Sequence, residues 1–477
     1  MEKMPNPRFN LRLIFCFVAF FLFFILLAGI FRPPVTSWMS AAYRLIWFDL
    51  FGAHYKLPLE TPKPLMAFLC GVLPDQATYF ISSLLMALWL TAMLALSRAM
   101  TGKYFYGGLA AVLCVFANTE ILPAVFLAGY SSWTGLYIPL VFAQFLLLFR
   151  EKYGACFFLN FLTSLIRPES WVFAVIFYAW LYWHKQARPV YLAAMLAPLA
   201  WMVFDWRLSG DPFFSYQVTR TYALVSELRP TAFFSYWKDV AAGVSFYYGP
   251  GLVLIGAAAF LLNVFKKGPA DKTNIPGLCA LSTFLGYWLV SLKGDLVMMN
   301  YFFSCPALIL VFYASLLPAL FSPVKTPHFR WYYGVLIAAV FFEPVSFGLS
   351  AQAARLFKIR QAAVQETTQY LRDHIGAGRL IKRVIIPAPL HAYYSLALGP
   401  EVSQRLVSFR EAASDSYAGD LAGAAAVYVD LGGRTTAFLA LPQDWRVAMA
   451  GKVFILRPVF KSRNGWGLVY LVYPAGR

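Results

Sequence analysis

The chain has 477 residues, 60% hydrophobic and 13% charged, with a formal net charge of +18, and its mean hydropathy is +0.62. Soluble proteins are nearer half apolar and a quarter charged, so these values exclude an ordinary soluble domain and indicate a polytopic membrane protein. The cationic residues lie in short loops between apolar runs, which is the pattern that orients membrane helices rather than a nucleic-acid footprint, and the basic balance also suits anionic headgroups or phosphates.

Lys3, Arg8 and Arg12 precede a charge-free run from Leu13 to Phe31. That run is long enough to span and is followed by no small-residue cleavage site, so it reads as an uncleaved first span with the N-terminus cytoplasmic. Residues 36–50 are predicted to form an amphipathic surface helix, capped at Thr36 or Ser37, with Asp49 in its last turn. Between Trp47 and Leu65 the chain gathers Asp49, His54, Lys56, Glu60 and Lys63 among prolines at 58, 62 and 64. These prolines forbid a continuous helix and favour a stiff extended path that holds Glu60 and Lys63 in place. A solvated Pro-rich loop is the alternative reading of the same residues.

Further spans are expected near 77–97, 104–117 and 132–149. Arg98, Lys103, Arg150 and Lys152 mark cytoplasmic loops, while Asn118, Thr119 and Glu120 mark a loop without Lys or Arg. The stretch from Tyr153 to Trp183 lies between two basic loops, the second holding His184, Lys185 and Arg188. The chain must cross there twice, and two full spans need about forty residues. A short or re-entrant helical hairpin with Arg167-Pro168-Glu169 at its tip meets that requirement, because backbone can break at membrane depth where protein or a wet cavity covers it. An Arg and a Glu at such a tip are a functional signal, with a pair that only stabilises the break as the alternative.

Val190 to Asp205 crosses outward, and a long polar-aromatic loop from Arg207 to Gly249 opens with Ser209-Gly210-Asp211-Pro212-Phe213-Phe214. Spans at 250–265, 276–292, 299–321 and 331–348 bring the count to about eleven and place the tail outside. From about Ala351 the composition becomes that of a soluble α/β domain. Ala351 to His374 reads as a helix, and Arg383–Pro387, Ala425–Asp430, Val453–Leu456 and Leu468–Val472 read as buried strands. The expected fold class is therefore a mainly α polytopic membrane domain over 1–350 and an extracytoplasmic α/β domain over 351–477, the latter a cap that shapes an acceptor groove. Cys16, Cys70, Cys114, Cys156, Cys279 and Cys305 lie in or beside apolar runs with no CxxC spacing, which implies neither a disulfide framework nor a thiolate metal site.

This topology places four charged sites on one face: the Asp49–Lys63 loop, the Arg167–Glu169 tip, the Gly210–Phe214 loop with Asp211, and Lys293-Gly294-Asp295 before Asn300-Tyr301. Lys63, Arg167 and Lys293 could neutralise a lipid phosphate or pyrophosphate. Asp49 could take a proton from an acceptor hydroxyl. Trp47, Tyr247 and Tyr248 could stack on sugar rings.

Several short motifs carry a resemblance. Asp49 in the first outer loop, Glu60-Thr61-Pro62-Lys63-Pro64-Leu65 entering the next helix, Arg167-Pro168-Glu169-Ser170-Trp171, Gly210-Asp211-Pro212 and Asn300-Tyr301 resemble membrane glycosyltransferases of the GT-C class. The likeness is to bacterial enzymes related to protein O-mannosyltransferases and to the lipid A aminoarabinose transferase, over roughly residues 10–350. The resemblance implies an inverting transferase that moves a sugar from a polyprenyl-phosphate donor to a lipid, glycan or protein acceptor at the outer face of the cytoplasmic membrane. It implies Asp49 as base, Lys63, Arg167 and Lys293 as donor ligands and Glu169 orienting Arg167, with His54, Glu60, Asp211, Asp295 and Tyr301 as secondary candidates. The chain departs from the pattern in three places: Leu50 follows Asp49 where a second acid is common, Lys63 precedes a single proline, and Asn300 stands where relatives often have Arg. A metal requirement is therefore not carried over, and no ligand motif supports a divalent cation. A transporter or flippase of lipid-linked sugars is the rival class; it would often show internal repeats and charges spread through the spans, whereas here no repeat is found and the charges gather at one face.

Overall fold

The computed structural model describes residues 11–31, 38–56, 62–74, 77–116, 133–225, 251–292, 305–321, 345–376, 383–387, 390–408, 421–429, 445–449 and 452–475. The chain divides into two units, one of residues 1–32, 61–69 and 74–351, the other of residues 33–60, 70–73 and 352–477.

In chain order the helices begin with α1 (Leu11–Phe31), α2 (Trp38–Leu50), α3 (Pro64–Val72), α4 (Ala77–Thr101), α5 (Phe105–Phe116) and α6 (Trp133–Phe149). The hairpin helices α7 (Tyr153–Ser164) and α8 (Glu169–Trp183) follow, then a 3-10 segment Pro189–Leu196 that runs into α9 (Ala197–Ser209). Next come α10 (Phe214–Val225), α11 (Leu252–Lys267), α12 (Ile275–Leu292), α13 (Cys305–Phe321) and α14 (Val345–Gly376).

In the first unit α4 packs against α1, α5 and α6, while α13 packs against α11, α12 and α5. Close packing of apolar helices needs small residues at the crossings, since lipid offers no hydrophobic drive to press helices together. Gly256 of α11 supplies one such crossing: a Cβ there would lie 1.9 Å from the Leu310 carbonyl oxygen of α13. Large apolar side chains face outward, among them Phe15 and Leu26 of α1, Val203 and Trp206 of α9, and Leu254 and Phe265 of α11. Among the described residues, Phe80–Thr101 and Pro189–Ser209 are long and apolar enough to cross a membrane, and Leu11–Leu26, Phe105–Cys114, Gly135–Phe149 and Cys305–Ala319 are shorter apolar helices.

The hairpin has the form that its flanking charges demand. Its helices run 12 and 15 residues, short of the roughly 20 needed for a full span. Pro168 occupies the position before α8, where a missing N–H costs nothing, and it stops the preceding helix by excluding the helical conformation at Arg167 less tolerantly than any other residue would. Two features departed from expectation in this unit. A short helix, α3, begins at Pro64, and the loop after Ser209 turns at once into α10. The predicted spans at 299–321 and 331–348 fall partly outside the described residues.

The second unit is built on a six-stranded sheet of β1 (Val384–Ile386), β2 (Leu406–Ser408), β3 (Ala425–Val429), β4 (Trp445–Met449), β5 (Lys452–Lys461) and β6 (Gly467–Pro474), in the order β2-β1-β3-β6-β5-β4. β1 runs parallel to β2 and β3, and the remaining pairings are antiparallel. The two-residue period of the strands separates two cores. Val384 and Ile386 pack with Val427 and with Ala363, Val364 and Leu371 of α14, while Ile385 packs on the opposite side with Ala426, Phe454 and Val472. The four strands expected from the sequence are present, and β2, β4, α15 (His391–Leu398) and α16 (Pro400–Ser403) are further elements that the sequence reading did not include.

Replacing Gly256 by Ala should cost about 1–3 kcal/mol through overpacking against the α13 backbone. Gly286, whose added Cβ would meet nothing within 4 Å, is the control. Thermal unfolding in detergent should show a lower midpoint for Gly256→Ala and little change for Gly286→Ala.

Candidate functional site

Within the first unit three segments converge on the residues around Lys63. Lys63 stands just before α3, and its carbonyl accepts the Ala67 N–H at 2.9 Å, closing the first turn. The Leu65 N–H donates to the Leu165 carbonyl at 3.3 Å, which ties the start of α3 to the hairpin tip two residues before Arg167. On the other side the Ser215 hydroxyl lies 3.2 Å from the Pro62 carbonyl oxygen and 2.7 Å from Asp205 Oδ1, with one proton to share between them. It accepts from Trp201 Nε1 at 2.9 Å, and the Ser215 N–H donates to Asp205 Oδ2 at 2.9 Å. Asp205 thus satisfies an N–H of the first turn of α10 and braces Pro62 through Ser215. The first-turn N–H groups of α3 are largely taken, since Pro64 has none, Leu65 donates to Leu165 and Ala67 donates to Lys63, so any positive character here comes from the Lys63 side chain.

The hairpin tip holds a buried ion pair. Arg167 is 3% exposed, and its Nε donates to Glu169 Oε1 at 2.8 Å. One Arg167 Nη also donates to Glu169 Oε1 and, at 3.0 Å, to the Tyr287 hydroxyl of α12, which itself donates to Glu169 Oε1. The guanidinium lies 5.7 Å from the centre of the Tyr137 ring of α6. Glu169 Oε1 therefore collects three donors, while Oε2 is buried and has no hydrogen-bond partner among the described residues. Beneath the pair is a polar layer. The Ser170 hydroxyl donates to the Tyr137 hydroxyl at 3.1 Å, Asn160 Nδ2 donates to the Ser170 carbonyl at 3.1 Å and to Gln144 Oε1 at 3.2 Å, and Gln144 Nε2 donates to the Thr163 hydroxyl at 2.6 Å. Buried polar atoms in a helical bundle persist when they satisfy one another, and this layer lets the hairpin stop short of a full crossing.

Asp211 has a local role. Its Oδ1 accepts the Phe213 N–H at 2.8 Å and its other oxygen accepts from Gln217, so it caps the start of α10.

In the second unit Asp49 lies near the end of α2. The turn after it reverses through Gly52 and His54, with φ of +85° and +50°, and the Gly52 N–H donates to the Asp49 carbonyl at 2.9 Å. Burial pushes the Asp49 carboxyl above the usual aspartate value, opposed by the Tyr55 backbone N–H and by the charge of His54. Glu60, Lys293, Asp295 and Tyr301 lie outside the described residues. Among the described residues, no three His, Cys, Asp or Glu side chains gather into a metal-ligating group.

Asp205, Tyr287 and Tyr137 were missed from the sequence. Asp205 carried a usable signal, a lone acid at the end of an apolar run. The two tyrosines carried none, because in a chain this rich in aromatics they cannot be told from lipid-facing rings.

The described residues thus form a helical bundle with a broken hairpin and a buried Arg–Glu pair, and an α/β unit. No protein-family model matches the chain, and no curated protein matches it. Among solved structures it shares the fold of ArnT from Cupriavidus metallidurans in the apo state, with TM-score 0.51 and 13% identity over 94% of this chain and 97% of that one. ArnT from the same organism bound to undecaprenyl phosphate aligns with TM-score 0.49 and 13% identity over 97% of this chain and 98% of that one. At this identity the likeness is one of fold.

The ion pair yields a double-mutant test. Arg167→Met alone leaves the Glu169 carboxylate buried without its cation and should cost about 3–5 kcal/mol. Arg167→Met with Glu169→Leu removes both charges, so most of that stability should return. Thermal midpoints of the single and double variants check this.

Proposed function

We propose that this chain is an inverting glycosyltransferase that takes a sugar from a polyprenyl-phosphate donor and passes it to a lipid, glycan or protein acceptor at the outer face of the cytoplasmic membrane. The bond from the sugar C1 to the phosphate oxygen breaks as the acceptor oxygen bonds to C1 from the opposite side. Asp49 takes the acceptor hydroxyl proton, and polyprenyl phosphate leaves. Lys63 and Arg167 neutralise the phosphate, Glu169 orients Arg167, and Lys293 is a further phosphate ligand. The observation that carries this reading is the backbone bond from Leu65 to Leu165, which draws the segment bearing Lys63 to the tip bearing Arg167. A lysine and an arginine on segments tied by that bond suit a phosphate better than a neutral ligand. The ArnT fold supports the same class.

The raised carboxyl of Asp49 suits the task, since a base works best when its pKa approaches the working pH. The proposed arrangement has about eleven spans, a cytoplasmic N-terminus and an extracytoplasmic tail from residue 351. A cysteine placed at 211 in a cysteine-free background should react with an impermeant thiol reagent from the outer side only.

Mass spectrometry of lipid that copurifies with the protein should find a polyprenyl phosphate or its sugar conjugate, and a purified protein free of both overturns the donor assignment. Asp49→Asn keeps the shape and removes the base, so transfer should fall by about two to four orders of magnitude. A flippase would move the labelled lipid across proteoliposomes without consuming its sugar.

The pH dependence follows from the raised Asp49 carboxyl. Transfer needs the ionised form, so the rate should fall as pH drops through a value above the ordinary aspartate value of about 3.9. The fold favours the protonated form, so the stability contributed by this group is present below the unfolded value and lost as pH rises through the folded one. Asp49→Asn should therefore lose transfer at neutral pH without losing stability. His54→Gln removes a charge that lowers the Asp49 value, and the acidic limb of the rate profile should move to higher pH.

A further inference from the structure

We infer that residues 54–56, gripped by residues 403–406 of the C-terminal domain, are the positioning element for the Asp49 carboxylate. This rests on the proposed role of Asp49 as base. The chain of contacts runs as follows. The turn that follows Asp49 closes through the Gly52 N–H on the Asp49 carbonyl at 2.9 Å and the Ala53 N–H on the Phe48 carbonyl at 3.1 Å, and the Tyr55 backbone N–H beyond it lowers the Asp49 value. On either side of Tyr55 the chain is fixed from a segment some 350 positions later. The His54 carbonyl accepts from Gln404 Nε2 at 2.8 Å, the Lys56 N–H donates to the Ser403 hydroxyl at 3.1 Å, and the Lys56 ammonium donates to the Leu406 carbonyl at 2.8 Å. Ser403 is fully buried and its hydroxyl donates to Ser395 of α15 at 3.0 Å, so the receiving end is itself fixed.

The helix bearing Asp49 is held to the same domain. Tyr55, Tyr393 and Leu396 pack against a core of Ala41, Ala42, Leu45 and Ala392. Arg44 turns away from Asp49 and donates to the carbonyls of Cys70 and Leu73 at 3.0 and 3.2 Å. Gly71 leaves room for the Trp47 ring, which a Cβ there would meet at 2.1 Å. The Lys56 ammonium donates to the Leu406 carbonyl, and the charge of His54 lowers the Asp49 value. A carboxylate at a helix end followed by a turn with two positive φ values would otherwise sample many positions. Fixing residues 54–56 holds the N–H that orients it, and a misplacement of about 1 Å in such a group can cost about a hundredfold in rate. The C-terminal domain is therefore the frame that sets the base.

The test uses the full chain in detergent with a polyprenyl-phosphate sugar donor. Lys56→Met and Gln404→Ala each loosen the grip while leaving Asp49 and Lys63 in place. Each should lower kcat about tenfold or more with the donor KM unchanged, and should move the acidic limb to higher pH because the Tyr55 N–H no longer lowers the Asp49 value. Lys56→Arg, which keeps a donor, should recover part of the loss. In the Asp49→Asn background Lys56→Met should cost nothing further; an additive loss, or a loss in all variants that tracks the thermal midpoint, overturns the proposal. An unchanged kcat and limb in both grip variants also overturns it. If Asp49→Asn itself transfers normally, the base reading fails, and positioning is then judged by NMR titration of the Asp49 carboxyl. An upward shift in Lys56→Met upholds the grip, and no shift overturns it.

Discussion

The membrane unit depends on one constraint: a helix that stops at membrane depth must satisfy its freed backbone and any charge it carries from within the protein. Here the stop is Leu165 to Pro168. Arg167 is answered by Glu169, Tyr287 and the face of Tyr137, and the polar layer of Gln144, Asn160, Thr163 and Ser170 answers the groups below it. The Leu165 carbonyl, left open by the break, is taken by the Leu65 N–H. The same break that creates an unsatisfied carbonyl thus fixes the start of α3 and with it Lys63.

A buried Arg–Glu pair adds little stability compared with apolar side chains of the same shape, because desolvation of both charges offsets their attraction. Asp205 and Ser215 add a second brace, from α9 and α10 to Pro62, so the segment before α3 is held from two sides. Prolines 62 and 64 limit its backbone freedom further.

In the second unit the sheet does more than cover. Its edge strand β2 and the residues just before it hold the turn that follows Asp49, and α15 packs on the helix that carries it. The first-loop helix belongs with the distant tail because its alanine face, Ala41 and Ala42, is small enough to lie close against Ala392.

The sequence by itself determined the class of the chain, four strands of the α/β tail and the broken hairpin, and it singled out Lys63, Arg167 and Asp49 as candidates. These are local properties: apolar length, the two-residue period, the rigidity of proline and the cost of a charge at depth all act within a few neighbouring residues. The tertiary structure alone decided that Arg167 turns to Glu169 and Tyr287, that Asp205 braces Pro62 through Ser215, and that residues 54–56 are gripped by residues 403–406. Asp211, marked by its sequence neighbourhood, proved to be a helix cap. Contacts of this kind join residues up to 350 positions apart, and no local propensity encodes them. They form only when packing of the whole core has offset the entropy of closing such loops and brought each donor within reach of its acceptor.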